Sequence, residues 1–191
     1  MKEVLLLGDS IRQAYQSGVV ERLSGIANVS APGENCRFAA YTLNSLRWRL
    51  PGFPKPDVIH WNNGLWDLAI LYGGTECFTT LDNYMDAIKK TLEQLRKTGA
   101  QIIFATTTPC HPDKGSYNPT MPSYTRNADV ERYNAAVVDF MEKENIPIND
   151  LWSVVYPHIF EYISEDLIHP NDAGKAALAD AVADKIKQYL G

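Results

Sequence analysis

Cysteine is scarce in this sequence, and its spacing does not suggest pairing. The chain of 191 residues contains three cysteines, Cys36, Cys77 and Cys110. Because their number is odd and none belongs to a CxxC pair, neither a disulfide framework nor a zinc site is expected. Unpaired thiols are typical of a reducing compartment, and the first predicted strand begins too close to the first residue to leave room for a signal peptide before it. We therefore expect a cytoplasmic protein, although a secreted chain after signal removal has the same pattern.

An excess of positive charge and long apolar runs are also missing. The chain has 18 Lys and Arg against 23 Asp and Glu, which gives a net charge of −5. This balance argues against a nucleic-acid partner or a polybasic membrane anchor. No apolar run approaches the ~20 residues of a membrane span. Hydrophobic residues make up 45% of the chain, which is enough for a packed core, so we expect a single domain over residues 1–191.

Short apolar runs alternate with longer amphipathic stretches along the chain. This alternation predicts βαβ units, and hence a parallel sheet with helices on both faces. The predicted strands are EVLLLG (3–8), IANVSA (26–31), DVIHWNN (57–63), AQIIFATTT (100–108) and IPINDL (146–151). The predicted helices cover residues 10–24, 36–50, 79–99, 126–145 and 171–190.

Two connections, residues 64–79 and 109–124, are unusually long. Each follows a predicted strand, and ligands of open α/β sheets bind at the carboxyl ends of strands, so both loops are expected to flank a site. Four prolines in the second loop predict a fixed wall, and His111 in it is a candidate substrate contact. Aromatic side chains in or beside these loops could stack on a sugar or an aryl group, or simply pack; they are Trp61, Trp66, Tyr72, Tyr117 and Tyr124.

Ser10 is a candidate nucleophile because of its place in the segment LLLGDSIRQ. It follows the first predicted strand and lies at the start of a helix. Backbone N–H groups without partners and the positive end of the helix dipole would stabilise an oxyanion there. The alternative is that the hydroxyl only caps the helix.

A second polar group, EDLIHPND, lies before the last predicted helix. Asp166 and His169 are three residues apart, so their side chains can lie on one side of a helical turn. A carboxylate that accepts a hydrogen bond from one imidazole nitrogen leaves the other nitrogen free to take a proton, as a general base must. The alternative is a helix cap followed by a chain-reversing proline.

With the serine, the aspartate and the histidine in this order, the sequence resembles the SGNH hydrolases, also called the GDSL esterase/lipase family. GDS at 8–10 matches the first block of the family and DLIHP at 166–170 matches the last. The resemblance implies a flavodoxin-like three-layer α/β/α sandwich with a five-stranded parallel sheet. It also implies a serine esterase that uses no metal or cofactor, with Ser10 as nucleophile, His169 as base and Asp166 as its partner. The family's second-block glycine, which donates its N–H to the oxyanion together with the serine N–H, corresponds to Gly33.

The third block of the family, G-x-N-D, does not match cleanly. Residues 62–67 read NNGLWD, so Trp66 stands where the oxyanion-binding asparagine is expected. An indole N–H can donate a hydrogen bond, but it is bulky. We predict that Asn63 supplies the missing amide, in preference to Asn62 or to a site with backbone donors only.

These features predict a serine esterase whose partner is a small-molecule ester, with an acetylated carbohydrate as a suitable substrate. A lipase or thioesterase for longer acyl chains is the nearest alternative. The altered third block leaves a third possibility open, a binding module that kept the fold without catalysis.

Overall fold

A parallel sheet of five strands forms the centre of the molecule. The computed structural model describes residues 1–71, 73–112 and 123–191. The sheet has the strand order β2-β1-β3-β5-β7, and all its pairings are parallel. Described strands are β1 (Lys2–Leu7), β2 (Ala27–Ser30), β3 (Val58–Asn62), β4 (Ile70–Leu71), β5 (Gln101–Ala105), β6 (Ser123–Tyr124) and β7 (Ile148–Asn149).

Helices cover both faces of this sheet. The longer ones are α1 (Ser10–Arg22), α2 (Ala39–Arg49), α3 (Leu81–Arg96), α4 (Asn127–Lys143) and α7 (Asp172–Lys187). Between β7 and α7 lie α5 (Leu151–Val155) and α6 (Ile159–Tyr162), and 3-10 turns cover Leu50–Gly52 and Tyr156–His158. Helices α1, α5 and α7 pack on one face, and α2, α3 and α4 pack on the other.

The apolar run of β1 shows how one strand serves two cores. Val4 and Leu6 pack against α1 and α7, whereas Leu5 and Leu7 pack against the opposite layer. Successive side chains of a strand point to opposite faces, so a central parallel strand must be apolar at every position. The predicted three-layer α/β/α architecture with a five-stranded parallel sheet is therefore confirmed.

The two long loops contain structure that the sequence did not predict. Strands β4 and β6 form an antiparallel pair in which Ile70 lies opposite Tyr124 and Leu71 opposite Ser123. This pair joins the connection after β3 to the connection after β5. Two-residue strands have no measurable period, and short helices such as α5 and α6 escape prediction for the same reason. The predicted aromatic contacts of Tyr72 and Tyr117 lie outside the described residues.

Other sequence expectations have mixed outcomes. All three cysteines are buried, and none of them forms a disulfide. None of the described helices is long and apolar enough to cross a bilayer. The helical register of residues 36–50 predicts a core position for Trp48, but Trp48 is 46% exposed on α2. The predicted helix over 36–50 begins only at Ala39, so its N-terminal part is an irregular loop.

Asp67 connects the loop after β3 to the start of α2. The residue before α2, Phe38, has no side chain that could cap the helix, and Asp67 replaces the cap by accepting from Ala39 N at 2.9 Å. The backbone oxygen of Asp67 also accepts from Thr79 N. Burial raises the pKa of Asp67 to about 7, although the hydrogen bond from Ala39 N opposes the increase.

This pKa predicts that the folded protein loses stability as the pH rises toward neutrality. Between ~3.9, the ordinary aspartate pKa, and about 7, folded Asp67 keeps a proton that the unfolded chain has released. The free energy of unfolding must therefore decrease as pH rises through that range. Asp67→Asn keeps an acceptor for Ala39 N but does not titrate. Its free energy of unfolding should therefore decrease less than that of the wild type from pH 5 to pH 8, by on the order of 3 kcal/mol.

Urea denaturation of both proteins at pH 5 and pH 8 measures this difference. Asp139→Asn is the matched control, because Asp139 is an exposed carboxylate on α4. It should follow the wild-type pH dependence. An Asp67→Asn protein with an unchanged pH dependence would show that Asp67 ionises normally.

Candidate active site

Ser10 lies where the central strand β1 ends and α1 begins. The N-cap residue is Asp9, whose Oδ1 accepts from Ile11 N at 3.0 Å. Ser10 is therefore the first helical residue, and the interpretation of its hydroxyl as the helix cap is wrong. The N–H of a first-turn residue has no intrahelical acceptor, so the Ser10 N–H can serve a bound anion.

The turn before Ser10 tolerates no side chain at Gly8. A Cβ built there would lie 1.9 Å from Asn62 Oδ1 and 2.7 Å from Arg12 Cβ. Both distances are far below van der Waals contact, so glycine is required for close packing of this turn against the end of β3. The first-block glycine thus brings the serine close to the carboxyl end of the neighbouring strand.

Asp166, His169 and Ser10 form a continuous chain of hydrogen bonds. His169 Nε2 lies 2.8 Å from Ser10 Oγ, and His169 Nδ1 lies 2.6 Å from Asp166 Oδ2. Asp166 Oδ1 accepts from Ser164 Oγ at 2.8 Å and from the backbone N–H groups of Ile168 and His169 at 2.9 and 2.8 Å. The two ends of the predicted triad therefore meet, although 159 positions separate them.

These hydrogen bonds determine the charge of Asp166 and the tautomer of His169. Partial burial alone would raise the pKa of Asp166, but the donors from His169, Ile168 and Ser164 outweigh it and lower the pKa to about 2. The carboxylate is thus ionised near neutral pH and can only accept hydrogen bonds. Nδ1 of His169 must donate to it, which leaves the Nε2 lone pair to accept from the Ser10 hydroxyl.

A cleft of about 170 Å³ opens beside Ser10 and His169. Part of its wall is apolar, formed by Leu65, Trp66, Ala69 and Ile168. Its remaining lining residues carry an amide or a hydroxyl group; they are Asn35, Ser123 and Thr125. Ala69 directly precedes β4 and Ser123 belongs to β6, so the β4–β6 pair forms part of the wall.

Asn63 does not have the geometry predicted for it. It is fully buried, and its Nδ2 donates to Arg37 O and to Thr42 Oγ1, both at 2.9 Å. Its Oδ1 accepts from Trp61 Nε1 at 2.7 Å. Because an indole N–H only donates and a carbonyl only accepts, the orientation of this amide is fixed. Both amide hydrogens are used inside the protein, which argues against the assignment of Asn63 as an oxyanion donor.

Asn62 also faces the interior. It is 4% exposed, and its Nδ2 donates to Asp9 Oδ1 at 3.1 Å. Its Oδ1 is the atom that packs against Gly8. Asn62 is not among the residues that line the cleft, so its contacts identify it as a support for the turn that carries Ser10.

The remaining candidates are divided between the cleft and its surroundings. Trp66 lines the cleft, as a substrate-binding role requires. Gly33 lies on an exposed loop, where its carbonyl accepts from Gln13 Nε2 at 3.3 Å. His111 donates its backbone N–H to Leu167 O at 2.9 Å, and its ring contacts Phe160 edge-on. The roles of Gly33 and His111 stay predictions.

Asn35, Ser123 and Thr125 line the cleft but were not predicted as site residues. A signal for Asn35 was present in the segment APGEN, where it lies two residues after Gly33. Ser123 and Thr125 carry no motif and reach the cleft only through the β4–β6 pairing. Over the described ranges, no three His, Cys, Asp or Glu side chains form a cluster that could bind a metal ion.

Similarity to solved structures supports the fold. A lipase/acylhydrolase from Enterococcus faecalis is 18% identical, with a TM-score of 0.80 over 98% of this chain and 96% of the other. An acetylxylan esterase from Geobacillus stearothermophilus is 17% identical, with a TM-score of 0.75 over 97% and 94%. A carbohydrate esterase family 3 protein from Talaromyces cellulolyticus is 18% identical, with a TM-score of 0.69 over 100% and 98%.

Family assignment depends on a different comparison. A search of curated proteins gives no match. The family model described as GDSL-like lipase/acylhydrolase matches residues 6–177, which include both the Ser10 turn and the segment with Asp166 and His169. The chain therefore belongs to the GDSL-like lipase/acylhydrolase family of SGNH hydrolases and is a hydrolase that acts on ester bonds.

Proposed function

We propose that this protein is a serine esterase that removes a short acyl group, such as acetyl, from a hydroxyl group of a carbohydrate. The observation that carries the proposal is the chain of hydrogen bonds from Asp166 through His169 to Ser10, beside a small cleft. The acyl group would enter the cleft, and the alcohol half would remain at its open side.

Acylation follows from the tautomer described above. Ser10 Oγ attacks the ester carbonyl carbon while its proton moves to His169 Nε2, and the carbonyl oxygen becomes an oxyanion. The N–H of Ser10 donates to this oxyanion, with Gly33 N–H as the second predicted donor. Collapse of the tetrahedral intermediate breaks the bond to the alcohol, which leaves with the proton from His169.

Deacylation uses the same groups in reverse. A water molecule gives one proton to His169 Nε2 and attacks the acyl carbon bound to Ser10. The second tetrahedral intermediate releases the carboxylic acid, and the proton returns to Ser10 Oγ. Asp166 stays ionised throughout and stabilises the imidazolium that forms in each half-reaction.

The walls of the cleft favour a short acyl chain. A volume of about 170 Å³ is small beside the roughly 300–1,000 Å³ of pockets that enclose drug-sized ligands. Trp66 and Leu65 occupy space that a long chain would need. Names among the structural neighbours agree with an acetyl ester of a polysaccharide, since one is an acetylxylan esterase and another a carbohydrate esterase.

Ser10→Ala should abolish ester hydrolysis without changing the fold. The variant loses the only atom that can bond to the acyl carbon in this mechanism, and loss of such a triad member typically lowers turnover by about 10⁴-fold or more. The measurement is turnover of p-nitrophenyl acetate and of an acetylated xylo-oligosaccharide, with circular dichroism as the control for folding. A folded Ser10→Ala protein that kept a tenth of wild-type turnover would remove Ser10 from the mechanism.

Asp166→Asn should lower turnover by about 10⁴-fold, the loss that follows from a wrong histidine tautomer. The asparagine Oδ1 can still accept from Ile168 and His169 N–H, so the turn is kept. Its Nδ2 would donate to His169 Nδ1, which places the imidazole proton on Nε2 and removes the base that Ser10 needs. Glu165→Gln is the control, because Glu165 is the exposed neighbour of Asp166. Equal turnover in both variants and wild type would show that Asp166 does not select the tautomer.

Acyl preference should change when Trp66 is shortened. In the wild type, kcat/KM for p-nitrophenyl acetate should exceed that for the octanoate ester by at least about tenfold, the effect of a poorly fitting methylene or two. Trp66→Ala enlarges the cleft and should reduce this ratio. Trp48→Ala, which shortens an exposed tryptophan on α2, should leave the ratio unchanged. A wild-type preference for octanoate would instead favour the lipase alternative.

A further inference from the structure

An oxyanion site made only from the N–H groups of Ser10 and Gly33 would lack the side-chain amide that the third block supplies in the family pattern. Asn63 and Asn62 both direct their amides into internal hydrogen bonds, as shown above. Yet an amide does line the cleft, and it comes from a different part of the chain. Asn35 lies with Ser10 and His169 around the same small space.

The loop that contains Asn35 is attached to the nucleophile turn on both sides of this residue. On one side, Arg12 Nη2 donates to Glu34 O at 2.9 Å. On the other, Cys36 N donates to Gly8 O at 3.1 Å. The backbone of Asn35 is therefore fixed against the start of α1, whose first residue is Ser10.

The orientation of the Asn35 amide is fixed as well. Its Oδ1 accepts from Arg37 N at 2.7 Å. A backbone N–H only donates, so the oxygen must face Arg37 and the amide NH₂ must point the other way. Within the described part of the chain, Nδ2 of Asn35 donates no hydrogen bond to the protein. The amide NH₂ of this cleft-lining residue thus has no protein acceptor among the described residues, and the hydrogen bond from Arg37 N fixes its orientation.

Charge at the site also suits this donor. Asn35 is neutral, and apart from His169 the other residues that line the cleft are apolar or carry hydroxyl groups. A hydrogen bond to a developing negative charge is stronger in such surroundings than in water. Trp66 also lines the cleft and is the competing donor, which the test below separates from Asn35.

We infer that Asn35 Nδ2 donates to the oxyanion of the tetrahedral intermediate, in place of the asparagine missing from the third block. This inference rests on the proposed esterase function. It makes Asn35 a catalytic residue and Arg12 a positioning residue that fixes the loop. The amide is supplied by the loop after β2, whereas the family pattern takes it from the loop after β3.

Asn35→Asp is the sharpest test, because it exchanges only the NH₂ group for oxygen. The acceptor for Arg37 N is kept, while a charged oxygen replaces the donor. We expect kcat for p-nitrophenyl acetate to fall by about 10²–10³-fold, the usual loss for one oxyanion donor, with KM changed by less than a few fold. Binding of methylboronic acid, which forms a tetrahedral adduct with a serine hydroxyl, should weaken by a similar factor.

The second variant, Asn35→Ala, removes the donor without adding charge. Its kcat should decrease by a factor comparable to that of Asn35→Asp. Asn44→Asp is the matched control, since Asn44 is exposed on α2, and it should behave as wild type. Thermal melting of each protein separates this loss from a folding defect.

Three results would overturn the inference. The first is that Asn35→Asp and Asn35→Ala each keep more than a third of wild-type kcat. A higher KM with unchanged kcat would instead place Asn35 on the alcohol half of the substrate. A large loss in Trp66→Phe, with small losses at Asn35, would assign the donor to the indole. Each of these requires an active wild-type enzyme; a wild type that neither hydrolyses esters nor binds the boronic acid would refute the proposed function itself.

Discussion

The hydrogen bond between His169 and Ser10 depends on how the two ends of the chain meet. The buried strand β1 determines where Ser10 lies. Gly8 does so as well, because the backbone there approaches Asn62 too closely for any side chain. His169 is placed by packing of α7 against α1 on the same face of the sheet. A shift of either element by one angstrom would lengthen a bond of 2.8 Å beyond useful range. The fold of the whole chain is thus the scaffold of this one contact.

Local constraints complete the placement of His169. Ser164 N donates to His169 O at 2.8 Å, and Asn171 N donates to Tyr162 O at 2.8 Å, which closes the segment into a compact loop. Gly174 allows the first turn of α7 to approach this loop, because a Cβ there would lie 2.4 Å from Tyr162 O. The carboxylate of Asp166 then accepts two backbone N–H groups of the same loop. Catalytic and structural hydrogen bonds therefore share one carboxylate.

Features of this protein that depend on local sequence patterns could be predicted, whereas features that depend on tertiary contacts could not. Strands and long helices follow from patterns within a few residues of one another. The triad was predicted from two short motifs and the family resemblance, and its catalytic role stays a prediction. Asn63 fails because the direction of its amide is decided by Trp61 and Thr42, and no local pattern reveals which tertiary partner an amide finds. The role inferred for Asn35 could not be predicted from sequence either, because it also depends on tertiary contacts. Its importance arises from Arg12 and Gly8, which reach its loop from more than twenty positions away.

Two carboxylates show how burial and hydrogen bonding assign opposite tasks to one side-chain type. Asp166 has a pKa lowered to about 2, because several donors stabilise its charge, and it remains an acceptor for the imidazole at any working pH. The pKa of Asp67 is raised to about 7, because the effect of burial outweighs that of the hydrogen bond from Ala39 N. The charge of Asp166 therefore does not change between pH 5 and pH 8, whereas the anchor that Asp67 forms between α2 and the loop after β3 becomes less favourable as the pH rises through that range. The same side-chain type thus supplies a constant charge beside His169 and a pH-sensitive anchor between α2 and the loop after β3, and the pH-sensitive carboxyl group lies outside the predicted triad.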